Sequence, residues 1–124
     1  VYPLEKKSIH NPNIVKVLFN KEKKAIYFSR AAIPFVRDVP IEDWSNHCKY
    51  WGHLGIYCYR GDFLNNFSLI PNSDLEDIEK LEQLRFIDAG YKVHIFITRK
   101  DSISIDEISQ LNKAREMIKM NLIE

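Results

Sequence analysis

The chain has 124 residues and is 45% hydrophobic, which bounds it to one domain's worth of sequence with a modest core. Eighteen basic and seventeen acidic residues leave a net charge of +1, a balance that excludes the concentrated basic patch of a nucleic-acid binder. No apolar run approaches the roughly 18 residues of a membrane helix. Cys48 and Cys58 lack CxxC spacing and the four histidines form no HxxxH pair, so structural zinc is not expected and two free thiols in a reducing cytosol are.

In chain order, Val1-Tyr2-Pro3-Leu4 reads as the end of a strand already in progress, and the chain is expected to be part of a longer protein. Asn13 to Phe19 mixes β-branched residues with one outward lysine, Lys16. Asn20-Lys21-Glu22-Lys23 supplies polar turn residues, and Lys24 to Ser29 returns as a strand, which makes a hairpin. The lysines at 21, 23 and 24 belong to its solvated tip. Pro34 and Pro40 bracket an irregular loop that continues from Trp44 to Trp51.

His53 to Tyr59 is read as a strand. Leu54, Ile56 and Cys58 form its core face, and His53, Gly55, Tyr57 and Tyr59 the other. Gly55 leaves a gap where a ligand can lie close to the backbone. The alternative is a half-exposed strand with a solvated polar face. Asp62 to Phe67 reads as a short helix closed by Pro71. A longer helix starts at the Ser73-x-x-Glu76 capping box. It carries Leu75, Ile78, Leu81, Leu84 and Ile87 as an apolar stripe and stops at Gly90. Tyr91 to Thr98 reads as a strong strand. Ser104-x-x-Glu107 caps a last helix bearing Ile108, Leu111, Met117 and Ile118. Hairpin, strand, helix, strand, helix is an α/β pattern with mixed sheet pairing.

Six residues are candidates for function. Arg30 ends a strand beside a turn, where its guanidinium can take a carboxylate bidentately; the alternative is a surface ion pair with Asp38 or Glu42. His53 and Tyr57 share a strand face and offer donors and acceptors to hydroxyls, unless the histidine is held in a structural hydrogen bond. Glu82 and Gln83 flank the apolar stripe and can grip vicinal hydroxyls, or they are simply good helix formers. Asp106 reads, from the residues alone, as an acid stabilised by a helix N-terminus.

Four motifs carry a family resemblance: Asn-Pro-Asn-x-Val-Lys-Val at Asn11 to Val17, Tyr-Phe-Ser-Arg-x-x-Ile-Pro at Tyr27 to Pro34, His-Leu-Gly-Ile-Tyr-x-Tyr-Arg at His53 to Arg60, and Leu-Glu-x-x-Glu-x-Leu-Glu-Gln-Leu-Arg at Leu75 to Arg85. In this order the chain resembles the cytidylyltransferases that activate 3-deoxy-D-manno-octulosonate (Kdo), the CMP-Kdo synthetases, over nearly its whole length. It covers only the C-terminal half of such an enzyme. The resemblance implies the C-terminal part of a nucleotide-diphospho-sugar-transferase-like mixed sheet, with a β-hairpin extension and two main helices. Residues 1–124 would be the sugar-acid-binding and dimerisation portion, and the CTP-binding half would lie upstream.

The implied reaction moves a cytidylyl group from CTP to Kdo, giving CMP-Kdo and pyrophosphate for lipopolysaccharide synthesis in the cytoplasm. Arg30, His53, Tyr57, Glu82 and Gln83 would bind the sugar acid, Asp106 would hold Mg2+, and no side chain would act as a catalytic nucleophile. A homodimer is implied, with no nucleic acid and no membrane as partner. Of the family's magnesium motif, Gly-[Val/Ile]-Asp-Thr-Pro-Glu-Asp-Leu, the aspartate survives in Ser104 to Leu111, while the glycine, the threonine, the proline and both following acidic residues are replaced. Alternatives are a cytidylyltransferase for 8-amino Kdo and a non-catalytic truncated binding or dimerisation module. Two spatial expectations follow. The five sugar-acid residues should converge on one open depression, and apolar residues near Val1 and one sheet edge should be bare or covered by another chain.

Overall fold

A computed structural model describes residues 1–99 and 108–120. The hairpin forms as expected. Strand β1 is Tyr2–Pro3, β2 is Lys16–Phe19 and β3 is Ala25–Ser29, with Val17 opposite Phe28 and Lys16 opposite Ser29. Asn20 organises the tip: its Oδ1 accepts from the backbone N–H groups of Glu22 and Lys24 at 3.0 and 2.9 Å. Helix α1 (Trp44–His47) precedes β4 (Trp51–Gly52), and the four-stranded sheet runs β1-β4-β2-β3. Every ladder among the described residues is antiparallel. Gly52 is required where β4 meets β1, since a Cβ there would stand 2.7 Å from Leu4 and from Tyr2.

Lys16 does not point outward. It is fully buried, and its ammonium turns back onto backbone carbonyls. The alternation of β2 had suggested a solvated face, but Ser29 and Gly52 lie opposite Lys16 on that face, and it is closed.

The strand expected at His53 to Tyr59 ends almost where it was to begin. The His53 N–H still donates to Val15 O at 2.8 Å, but Ile56 N–H then folds back onto Leu54 O in a three-residue turn. The expected alternation of faces is also lost: Ile56 is 79% exposed and Cys58 is exposed while Leu54 is half-buried, and His53 and Tyr59 are half-buried while Tyr57 is exposed. Helix α2 (Gly61–Asn66) follows with a 3₁₀ turn at Phe67–Leu69, matching the short helix expected before Pro71.

The long helix from Ser73 is broken into α3 (Asp74–Glu79) and α4 (Gln83–Asp88). Ser73 caps α3, its hydroxyl accepting from Leu75 N–H. Lys80 adopts φ 55°, and Leu81 N–H closes the end by donating to Glu76 O. The apolar residues recur at strict i+3, and with 3.6 residues per turn such a stripe drifts around a helix. The break resets it: Leu81 and Leu84 are buried while Ile78 is 78% exposed. Arg85 of α4 ties the halves together through a bidentate pair with Glu76, at 2.6 and 2.7 Å. Gly90, at φ 81°, ends α4 as expected.

Residues 91–98 are extended but form no continuous ladder. One bridge joins His94 to Lys24, and the far end bonds to Val1, whose N–H donates to Phe96 O and whose carbonyl accepts from Thr98. The main core gathers Val1, Val17, Phe28, Leu81, Leu84 and Ile95. A second cluster of Ile9, Trp44 and Tyr50 fastens the 34–51 loop, with the Tyr50 hydroxyl donating to Pro34 O at 2.7 Å. Helix α5 is Ile108–Lys119. Its cap at Ser104 lies outside the described residues. Its covered face centres on Ala114, and the expected contributors Ile108 and Ile118 are exposed. No helix among the described residues is long and apolar enough to cross a membrane.

Candidate functional site

With no ladder to hold it, the 53–60 segment is positioned by rings. His53 meets Phe28 edge-on at 5.1 Å and Tyr57 at 5.2 Å. Tyr57 stacks on Tyr59 at 5.8 Å, and Tyr59 stacks on Phe63 and meets Phe86. Each such contact adds about 0.5–1.5 kcal/mol beyond burial. This chain of rings runs from β3 to α2 and α4.

His53 and Tyr57 line a cavity of about 580 Å³ between the 53–60 and 91–98 segments, with Val1 and Ile95 among its walls. Arg30, Glu82 and Gln83 do not line it. Exposed Ile56 and Phe96 stand at this cavity, beside Val1, so bare apolar surface occurs where it was expected. A Cβ at Gly55 would meet nothing within 4 Å, in keeping with a gap at that position.

Burial, and then the Val1 ammonium, push the His53 imidazole down to about 4, so it is neutral at pH 7. Burial, Tyr59 and the Glu82 carboxylate hold the Tyr57 phenol well above its usual value. Tyr59 is raised by burial and by Glu82. Glu82 immediately precedes α4, between Leu81 and Leu84, which pack with Phe28 in the core. Gln83 is only 6% exposed at the start of α4. None of the side chains of His53, Tyr57, Glu82 and Gln83 hydrogen-bonds to another described residue.

Arg30 is held differently. It pairs with neither Asp38 nor Glu42; Asp38 is taken by Arg37. The Arg30 Nε donates to the Glu79 backbone carbonyl at 2.9 Å and Nη1 to Pro12 O at 3.1 Å. The Glu79 carboxylate accepts from the Arg30 backbone N–H and from the Ser29 hydroxyl, at 2.9 and 2.6 Å. The guanidinium thus forms no ion pair with a carboxylate among the described residues, and its Nη2 edge is uncommitted. Such an arginine can take an anionic oxygen without first breaking a salt bridge.

The structure therefore brings His53 and Tyr57 together in one cavity wall, sets Glu82 and Gln83 at the start of α4 outside that wall, and places Arg30 at the end of β3 against α3, so the expected convergence of all five on one depression is not what it shows. Asp106 lies outside the described residues. Sequence reasoning missed Lys16, Ser29 and Glu79, which build the seat of Arg30. Their signal was available, since all three fall inside the motifs that carry the resemblance.

A cytidylyltransferase family model matches residues 2–101. The chain is 41% identical over 111 residues to the 3-deoxy-manno-octulosonate cytidylyltransferase of Bacteroides thetaiotaomicron, covering 90% of this chain and 44% of that protein. It is 43% identical over 102 residues to the 8-amino-3,8-dideoxy-manno-octulosonate cytidylyltransferase of Shewanella sediminis, covering 82% and 39%. A solved CMP:2-keto-3-deoxy-manno-octonic acid synthetase complexed with CTP superposes with a TM-score of 0.87 at 33% identity, over 97% of this chain and 47% of that one. The chain spans about half the length of the curated relatives it matches.

Proposed function

This chain belongs to the cytidylyltransferase family, and we propose that it supplies the sugar-acid-binding half of an enzyme that transfers a cytidylyl group from CTP to Kdo. The observation that carries the reading is a contrast in how the candidate residues are bonded. Among the described residues the Arg30 guanidinium at the end of β3 has no carboxylate partner, and the side chains of His53, Tyr57, Glu82 and Gln83 are left with hydrogen-bonding capacity. A sugar acid offers a carboxylate to the first and hydroxyls to the second.

In this reading Arg30 takes the carboxylate through its uncommitted edge. Neutral His53 and the protonated Tyr57 phenol donate to or accept from hydroxyls, and so orient the sugar without exchanging protons with it. Glu82 accepts from hydroxyls while Gln83 both accepts and donates. The sugar hydroxyl is the nucleophile, so the chain contributes positioning and charge neutralisation rather than a covalent intermediate. The CTP-binding half lies upstream in the whole protein.

Magnesium belongs to the same proposal, with Asp106 as its ligand from this chain. Among the described residues no group of three His, Cys, Asp or Glu is placed to hold a metal. Magnesium suits a sparse protein donor set, because it takes one or two carboxylates and completes its shell with water and phosphate oxygens. When bound, it neutralises charge on the phosphate. The reading further includes a homodimer, supported by exposed apolar side chains such as Phe35 and Ile41. It also places the protein in the cytoplasm, which suits the free thiols of Cys48 and Cys58.

The relative from Shewanella sediminis favours a second substrate reading, 8-amino Kdo. Steady-state assays of the whole protein with CTP and each sugar acid decide between them. With the preferred sugar acid, Arg30→Ala is expected to raise its KM about tenfold or more while leaving the KM for CTP nearly unchanged. Equal losses for both substrates would remove Arg30 from the carboxylate role, and no turnover with either sugar acid would favour a non-catalytic module.

A further inference from the structure

We infer that Lys16 is a positioning residue: one buried ammonium fixes both the backbone of Arg30 and the turn that holds its guanidinium. The inference rests on the assignment of Arg30 to the sugar-acid carboxylate. The Lys16 Nζ donates to three carbonyls, those of Asn11 at 2.9 Å, Ile14 at 2.6 Å and Arg30 at 2.5 Å. An ammonium has three hydrogens, so all are used. Asn11 and Ile14 bracket Pro12, whose carbonyl accepts from Arg30 Nη1. The third carbonyl belongs to Arg30 itself. The ammonium therefore grips the strand end from which the arginine departs and the turn that receives its side chain.

Stability alone does not call for a lysine here. Lys16 is fully buried and has no carboxylate within ion-pair distance among the described residues. Burying a cation on carbonyls alone costs desolvation that an apolar residue in the same strand would avoid. Burial indeed pulls the Lys16 ammonium below its ordinary value, and the Glu79 carboxylate only partly offsets this. What the lysine provides is a fixed arginine. The guanidinium reaches its ligand already oriented, so binding need not order it.

The test is a double-mutant cycle in the whole protein, with steady-state KM read for the sugar acid and for CTP. Lys16→Met keeps the length of the side chain and removes the donors. It is expected to raise the sugar-acid KM about tenfold with the KM for CTP unchanged. In an Arg30→Ala background the same substitution should have no further effect on the sugar-acid KM. A merely structural lysine would give the same loss with and without Arg30, and that result overturns the inference, as does a Lys16→Met KM equal to wild type. If Arg30→Ala itself leaves the sugar-acid KM unchanged, the assignment of Arg30 fails and this inference falls with it. Should Lys16→Met not fold by circular dichroism, Lys16→Gln, which keeps two N–H donors, enters the same cycle with a smaller expected loss.

Discussion

The end of β3 and the 53–60 segment are both rich in polar groups, yet they treat them in opposite ways. Around Arg30, the Lys16 ammonium, the Ser29 hydroxyl, the Glu79 carboxylate and most of the guanidinium have partners inside the protein. Around His53, the imidazole, the Tyr57 phenol and the Glu82 and Gln83 side chains have none among the described residues, and rings rather than backbone hydrogen bonds hold the segment. The first region resembles a mount and the second a receiving surface. Polar groups satisfied internally contribute to folding, whereas groups left open contribute little to it and are available to a ligand.

That division makes different variants fail in different assays. The largest effect on stability is expected from acid, acting on the open side. Among the described residues His53 has no partner to stabilise its charged form, and its value of about 4 lies below the ordinary 6.5. The unfolded chain therefore binds the proton first, so stability contributed by neutral His53 is present above about pH 6.5 and is lost as the pH falls towards 4. The full loss is at most about 3 kcal/mol. Denaturant melts at pH 7 and pH 4.5 should show a drop that His53→Gln largely abolishes; an equal drop in both proteins would sink the assignment.

A smaller loss is expected on the anchored side. Glu79→Ala leaves the Ser29 hydroxyl and the Arg30 N–H without acceptors, at a cost of about 2 kcal/mol. An unaltered unfolding midpoint would mean that these groups are not satisfied as described. Smallest of all, Tyr57→Phe and Gln83→Leu remove groups that hydrogen-bond to no other described residue. Each should shift stability by no more than about 0.5 kcal/mol, and a large destabilisation would show that the groups are structural.

Much of this arrangement could be read from the sequence, and the exceptions share a cause. Asn20 and its lysines marked the hairpin tip, Gly90 marked the end of α4, and Ser73 marked the start of α3, because each is a local decision made by neighbouring backbone groups. The break at Lys80 was not legible, since nothing in Glu79-Lys80-Leu81 forbids helix. It is imposed by the need to turn Leu81 and Leu84 together onto Phe28. The strand expected at His53 failed because ring contacts to α2 and α4 outweigh a ladder that ends at Gly52. The candidate ligand residues were legible through the motifs. Lys16 lies inside a motif too, but its burial was not legible, because an alternating pattern cannot say whether the polar face of a strand is closed by something else.

In the proposed function the open side chains and the anchored arginine together receive a sugar acid. The most direct measurement is an NMR titration of the protein with Kdo, following the Arg30 Nε–H, the His53 ring and the Gln83 side-chain amide, with the methyl ester of Kdo as a parallel ligand. Kdo is expected to shift all three signals along one binding curve, and the ester, lacking the anionic carboxylate, to bind at least about tenfold more weakly. Saturable binding of Kdo that leaves these three signals unmoved, or equal affinity for acid and ester, would contradict the proposed function.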